Sequence, residues 1–368
     1  MRDDTTTFMA MKGAGYYSRA TVGARDVINA AAPQVAQALA AQNLAPEGGP
    51  ITVTDMGCAD GGTSIQMWGK VLGDLRAALP GRPIQLIYTD LPRNDFSQLF
   101  RIVHGQTEIE SRLGAIPDLY PMASATSFHR RIVPPGTLHL GFSATASHYI
   151  SETPCDIPDH VHMVGARGAV RDAYRAQGAK DWDSFLTNRA AELAPGGRLV
   201  LYNFGIDEEG RYLGHTGGPS MFDTFARLWH ALVEDGTITE AEFAATNFPQ
   251  VYRTVEEFAA PFRDDGSAVS RAGLRLEQIG TKVTRCPFAA AFEDDHHDAA
   301  RFAREYIPTL RSWSEPTFVS GLAKTRSATE IAAIVDRFYA SYEDEVAANP
   351  EGHGMDYVHC WLIAAKAG

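Results

Sequence analysis

The chain has 368 residues, with 33 Lys and Arg against 45 Asp and Glu and a formal net charge of -12. That balance argues against a nucleic-acid partner, because phosphate backbones are held by clustered cations. No run of about 18 apolar residues is present to span a membrane, and the polar start MRDDTTTFMAMKG lacks the basic and apolar blocks of a signal peptide, so a cytoplasmic protein with a small-molecule partner and no membrane association is expected. Cys58, Cys155, Cys286 and Cys360 lie far apart without a CxxC spacing, as expected of reduced thiols.

In chain order, ARDVINAAAPQVAQALAAQNL carries apolar residues at helical spacing and closes at the proline and glycines of APEGGP. ITVTDM reads as a strand, GTSIQMWGKVLGDLRAAL as a helix, and GRPIQLIYTD as a second strand with an acid at its carboxyl end. TLHLGFSAT predicts a strand, DWDSFLTNRAAEL a helix and GGRLVLYNFG a strand after a tight turn. Such alternation predicts an α/β fold with a mostly parallel, doubly wound sheet whose ligands sit beyond the carboxyl ends of the strands. After residue 212 the pattern changes to helical pieces such as FDTFARLWHALVEDG and TVEEFAAPF, so 213–270 and 288–345 are expected to form a helical cap. A strand is expected near 274–285 and a last one in DYVHCWLIAAK.

The stretch ITVTDMGCADGGTS turns from an apolar run through an acid into glycines. A dinucleotide turn requires G-x-G-x-x-G so that backbone can approach a pyrophosphate. Here Ala59 follows Gly57 at the second-glycine position, and Gly61 and Gly62 come later, so that fingerprint fails. Asp55 and Gly57 with Gly61-Gly62 instead resemble the first motif of methyltransferases, where an acid can accept from the amino group of S-adenosylmethionine, which has no phosphate. Asp90, ending the second strand, suits a pair of ribose hydroxyls. A strand-to-helix turn with no ligand is the plain alternative.

Further segments extend this pattern along nearly the whole chain. MKGAGYYSRA, DMGCADGGTS, YTDLPRNDFSQLF, SFHRRIVPPGTLHLGFSATASHYIS, NFPQVYRTVEEF and RSWSEP occur in the order of the corresponding signposts of the SABATH family of S-adenosylmethionine-dependent methyltransferases, which this sequence resembles. D-L-P-x-N-D-F is the most specific block. The resemblance implies a Rossmann-like class I methyltransferase with a helical cap. In that division, 1–212 is the S-adenosylmethionine-binding core with an N-terminal gating segment, 213–345 the cap contributing the acceptor pocket, and 346–368 a strand returning to the core. It assigns Ser18, Asp55, Gly57, Cys58, Asp90, Leu91, Ser127, Phe128, Ser143 and Ala144 to the cofactor. Phe128 would lie on adenine, although it and Leu91 are also ordinary core residues. Cys58 reads as a small residue in a tight turn, not a nucleophile.

On the acceptor side, His148 and Tyr149 stand where the family has a His-Trp pair that holds the substrate carboxylate, and His148 is the candidate catalytic residue. Phe222 falls at an aromatic wall, and Thr145 replaces a usual tyrosine. Asp26 occupies the place of the family's carboxylate-binding glutamine, which would repel an acid unless it is protonated or turned away. Arg25 or Arg19 would be a bidentate substitute, the substrate would carry a neutral or basic group, or Arg25 and Asp26 form a solvated helix face. Lys12 is a further candidate for an anionic acceptor. His160 and His162 near Asp156 and Asp159, and His296 and His297 among acids, lie in no recognisable metal motif, so no metal is expected. Ser143, Ser147 and His148 lack the G-x-S-x-G of a hydrolase elbow.

The resemblance implies methyl transfer to the carboxylate of a small organic acid, with N-methylation or hydroxyl O-methylation of a small aromatic or heterocyclic acceptor as the alternative. A cofactor-binding protein without turnover is the reading from another class. A homodimer is expected from the resemblance alone.

Overall fold

The computed structural model describes residues 21–294 and 298–368. Its centre is built from the sequence's short apolar runs. Strand β1 (Ile51–Met56) is buried along its whole length, as a central parallel strand covered on both faces must be. Around it lie β2 (Ile84–Asp90), β3 (Leu119–Ala125), β4 (Leu138–Ala144), β5 (Leu193–Ile206), β6 (Arg253–Thr254), β7 (Leu274–Thr284) and β8 (Tyr357–Lys366). The order is β3-β2-β1-β4-β5-β8-β7, with the short β6 paired to β5. The first five strands run parallel, whereas β8 is antiparallel to both β5 and β7. The chain therefore winds outward from β1 through β2 to β3, then returns to the other side of β1 for β4 and β5. The crevice where that order reverses, between the carboxyl ends of β1 and β4, is where such sheets bind ligands.

The helices are α1 (Val22–Ala30), α2 (Ala32–Ala40), α3 (Ile65–Ala78), α4 (Phe96–Val103) and α5 (Gly168–Glu192), followed by α6 (Met221–Glu234), α7 (Glu240–Ala245), α8 (Val255–Arg263), α9 (Ala268–Arg271), α10 (Pro287–Asp294), α11 (Ala299–Gly321) and α12 (Ala328–Ala348). The helix expected over the alanine-rich start is two helices meeting at Ala31, because Pro33 opens the second and has no N–H to continue the first. Helix α5 begins well before the expected segment. Three elements were not anticipated: α4, the edge strand β3 and the two-residue β6 inside the segment expected to be helical. Only one side of β3 pairs, and Tyr120 and Met122 are 51% and 44% exposed, so it lacks a clean apolar pattern. Among the described residues no helix is long and apolar enough to cross a membrane.

Helices α6, α11 and α12 pack around aromatic rings, with Phe318 at 4.3 Å from Phe338 and 4.9 Å from Trp229 between ring centroids. Thr239 with Glu242, Thr254 with Glu257 and Ser327 with Glu330 form reciprocal capping boxes at the starts of α7, α8 and α12. Each satisfies two backbone donors that a helix start leaves unpaired.

One fully buried ion pair ties α5 to the loop after β3. Arg189 Nε donates to Glu192 Oε2 at 2.7 Å and Nη2 to Oε1 at 2.8 Å. The same guanidinium donates to the carbonyls of Phe128 and Arg130 at 2.7 and 2.6 Å, while Glu192 Oε1 accepts the backbone N–H of Ile132 at 2.6 Å. Neither side chain is exposed, so every polar atom lost here is lost in low dielectric. Removing the acid alone strands a buried cation, which costs roughly 3–5 kcal/mol, whereas replacing both partners with apolar side chains costs less. Urea denaturation of E192L is expected to show that loss and R189M/E192L to recover part of it. A single variant within about 1 kcal/mol of wild type would contradict the role assigned to the pair.

Candidate cofactor and acceptor site

At the tip of β1 the backbone is forced into conformations that side chains resist. Gly57 and Gly61 have φ of 77° and 74°, and Ala59 between them has φ of 49°. A Cβ on Gly57 would sit 2.3 Å from the Cβ of Ala146 and 3.8 Å from Cε1 of Phe128, so only glycine allows the β1 turn, the segment after β4 and the Phe128 ring to meet. Ala59 is held in its left-handed conformation by two side chains. Its N–H donates to Asp90 Oδ2 at 2.8 Å, and its carbonyl accepts from Asn94 Nδ2 at 2.6 Å. Asp90 Oδ1 accepts the N–H of Leu91 at 2.7 Å, and Asp95 caps α4 by accepting from Gln98 N at 2.9 Å. Asp90 and Asn94 of the D-L-P-x-N-D block thus join the β2 end to the β1 turn, while Asp95 starts α4.

Asp55 lies beneath this turn. Its Oδ2 accepts from Ser64 Oγ at 2.5 Å and Trp68 Nε1 at 2.9 Å. Burial raises its pKa to about 6, against the opposing pull of those two hydrogen bonds, and the nearby Asp90 adds to the rise. Burial also raises Asp90, with the Ala59 and Leu91 N–H groups opposing. The Cys58 thiol is pushed well up by burial and by the surrounding acids, which makes it a poor nucleophile and suits a packing role. Ser143 Oγ donates to the Met56 carbonyl at 2.9 Å, joining the tips of β4 and β1, and Ala144 is buried beside it. Ser127 Oγ accepts from His129 N at 3.3 Å. Phe128 is half-buried and meets Phe185 edge-on at 5.9 Å. Two buried carboxyl groups, Asp55 and Asp90, and the Phe128 ring thus gather around the glycine turn that follows β1. Ser18 lies outside the described residues.

Beyond β4, Thr145 has φ of 55°, a strained conformation for a β-branched residue of the kind that gathers at functional sites. Its N–H donates to Tyr202 O at 2.9 Å. The turn delivers His148 and Tyr149 to the wall of a narrow, partly open pocket that Thr21, Ala24, Gln250 and Tyr252 also line. The segment is clamped from outside. Val251 N donates to His148 O at 2.8 Å, Ile150 N to Pro249 O at 2.9 Å, and Ser151 N and Oγ both donate to Asp181 at 2.7 Å. The His148 ring packs on Tyr149 at 4.5 Å and Phe204 at 4.8 Å, and its Nδ1 is buried without a partner. Burial, then the nearby His359 and Arg253, drive its pKa well below the usual histidine range, so the imidazole is neutral.

The other acceptor-side candidates separate. Phe222 is fully buried and does not line this pocket; it stacks on His162 at 4.0 Å and stands behind Tyr252 at 5.9 Å. On α1 the helical step turns Ala24 to the pocket and swings Asp26 to an exposed position, with Arg25 half-buried and off the wall. The structure therefore moves both residues out of the described pocket lining. Lys12 and Arg19 lie outside the described residues, as do His296 and His297. His160 Nε2 lies 3.1 Å from Asp223, and no group of three metal-type ligands occurs among the described residues. Sequence reasoning missed Ser64 and Trp68, whose partnership with Asp55 spans 9 and 13 positions and leaves no local pattern. It also missed Gln250, Tyr252 and Trp313 as pocket walls, although NFPQVY and RSWSEP were visible as signposts.

Residues 5–363 match the model of the SAM dependent carboxyl methyltransferase family. The chain is 28% identical over 240 residues to Gibberellic acid methyltransferase 2 of Arabidopsis thaliana, covering 57% of this chain and 59% of that protein; it thus spans about three fifths of that relative's length. It is 26% identical to O-methyltransferase acrG of Aspergillus aculeatus over 87% of this chain and 84% of that one. Among solved structures, Loganic acid methyltransferase with SAH superposes at a TM-score of 0.74 and 19% identity, over 97% of this chain and 99% of that chain, which establishes the shared fold. The family match spans nearly all of the sequence and its elements occur in the expected topological order, so the chain belongs to the SABATH family of S-adenosylmethionine-dependent carboxyl methyltransferases.

Proposed function

We propose that this protein transfers a methyl group from S-adenosylmethionine to the carboxylate of a small organic acid. The observation that carries the reading is the pocket beside the β1 turn, where a neutral His148, Tyr149 and Gln250 supply hydrogen-bonding groups and the described lining contains no charged side chain. The exposed position of Asp26 supports the same reading, because it takes a carboxylate-repelling charge off the wall. When bound, S-adenosylmethionine supplies an electrophilic methyl group on a sulfonium.

The chain's own residues then have separable tasks. Asp90 keeps lone pairs on both carboxylate oxygens after accepting from Ala59 and Leu91, which leaves capacity for ribose hydroxyls. Asp55 supplies negative charge for the amino group, and Phe128 an apolar face for adenine. Gly57, Cys58, Leu91, Ser127, Ser143 and Ala144 line the space between. An acid acceptor is ionised near neutral pH, so no residue needs to take its proton. Tyr149 donates through its hydroxyl, and His148 through a ring N–H in its neutral form, fixing one carboxylate oxygen while the other stays free to attack. Orientation in a water-poor pocket is the main contribution to rate.

Methyl-labelled S-adenosylmethionine incubated with a panel of small acids, phenols and heterocyclic amines tests the reaction. Base-labile label on an acid product is the expected result, and label that survives base would overturn carboxyl transfer. Substituting D90N removes one carboxylate oxygen from the network; calorimetry should show S-adenosylhomocysteine binding weakened by roughly tenfold or more.

Asp55 predicts a pH dependence with a definite sign. Its folded pKa of about 6 lies above its ordinary 3.8, so its stabilising contribution is fully present below pH 3.8 and lost as pH rises through 6. The D55N variant should therefore gain stability relative to wild type on going from pH 4 to pH 7, by on the order of 3 kcal/mol at most. Affinity for the cationic cofactor should run the other way, falling for wild type as pH drops through 6 and staying flat over that range for D55N. Parallel pH profiles for the two proteins would sink the assignment.

A further inference from the structure

Trp313 is the feature of the pocket that the proposed reaction leaves unused. It stands on α11, within the cap, and its ring packs on Phe248 at 5.6 Å, Phe225 at 6.2 Å and Phe222 at 6.3 Å. The same residue lines the pocket that His148 borders from the sheet side. Its indole Nε1 is out of reach of solvent and has no hydrogen-bond partner. The contrast within the cap is direct, since the buried Trp229 donates from Nε1 to Thr246 Oγ1 at 3.0 Å. An indole nitrogen is a donor only, and a buried donor left unpaired costs about 1–3 kcal/mol. That cost disappears when a ligand in the pocket brings an acceptor atom to the ring.

Trp313 and His148 reach the pocket from different layers. His148 follows β4 and contacts Tyr149, Phe204 and Tyr252, while the rings around Trp313 belong to α6 and the segment before β6. We propose that Trp313 is a specificity-determining residue, donating its indole N–H to a second, uncharged oxygen on the acceptor, away from the carboxylate that becomes methylated. The preferred acceptor is then a small, largely apolar acid bearing a carbonyl, ether or hydroxyl oxygen at its far end. No cation in the described lining meets a second negative charge, so diacids are disfavoured at that end. The inference rests on the carboxyl-transfer reading for which end of the acceptor faces His148.

The test compares matched acids that differ only in that oxygen. Ortho-, meta- and para-acetylbenzoate are paired with the corresponding isopropylbenzoates, and binding to the protein saturated with S-adenosylhomocysteine is measured by calorimetry alongside ester formation with S-adenosylmethionine. Wild type is expected to bind at least one acetyl compound several-fold more tightly than its isopropyl partner, the scale of one buried hydrogen bond. W313F keeps an aromatic ring and removes the N–H; it should erase that preference, so that the acetyl and isopropyl acids bind equally, with S-adenosylhomocysteine still bound. An unchanged acetyl preference in W313F, or no preference in wild type across all three pairs, would overturn the role of Trp313. Ester formation reports separately on the carboxyl-transfer reading, so selective binding that produces no ester from any acid would count against that reading and leave the Trp313 donor supported.

Discussion

The constraint on which the site depends is the meeting of two backbones at Gly57. The turn after β1 and the segment after β4 approach so closely that a methyl group on residue 57 would overlap the side chain of Ala146. The approach is possible because β1 and β4 are paired neighbours whose connections depart in opposite directions around the sheet, leaving an open crevice between their carboxyl ends. Asp90 and Asn94 from the neighbouring β2 end then lock Ala59 of the same turn through its N–H and carbonyl. The β1 turn is therefore set by backbone geometry, with side chains from the end of β2 and the loop after it acting as its supports.

Electrostatically, the two halves of the site differ. Around β1 and β2, burial raises two carboxyl groups that lie near one another, an arrangement whose cost falls when a cation arrives. Around β4, burial drives His148 well down, and the described residues lining the pocket it borders are uncharged and largely aromatic. Under the proposed reaction, a positively charged methyl donor and a singly charged acid would meet between the acidic β1–β2 end and this uncharged pocket, where low dielectric strengthens each remaining hydrogen bond.

The chamber is completed by parts of the chain that are remote in sequence. Gly23 of α1 lies against Tyr357 at the start of β8, where a Cβ would come within 2.2 Å of the ring. β6 pairs with the carboxyl end of β5, bringing Gln250 and Tyr252 beside Tyr149, and Trp313 arrives from α11. The buried Arg189–Glu192 pair serves the cofactor side in the same way, holding the loop that carries Phe128 to helix α5.

The sequence by itself determined the alternation of strands and helices, the acid-glycine turn after β1, the acid ending β2 and the segment carrying His148 and Tyr149, because each is a local pattern of burial period, turn chemistry or ordered motif. It left β3, β6 and α4 unseen, since an edge strand is patterned by pairing on one side only, β6 has two residues, and α4, though amphipathic, spans only eight residues. Tertiary structure alone decided that Asp55 is shared by Ser64 and Trp68, that Asp26 faces away from the pocket while Ala24 lines it, that Phe222 stands a layer behind, and that Trp313 lines the pocket with its Nε1 buried and unpaired. The physical reason is common to all four. Which way a side chain points, and whether its polar atoms find partners, depends on packing between segments that no local spacing relates.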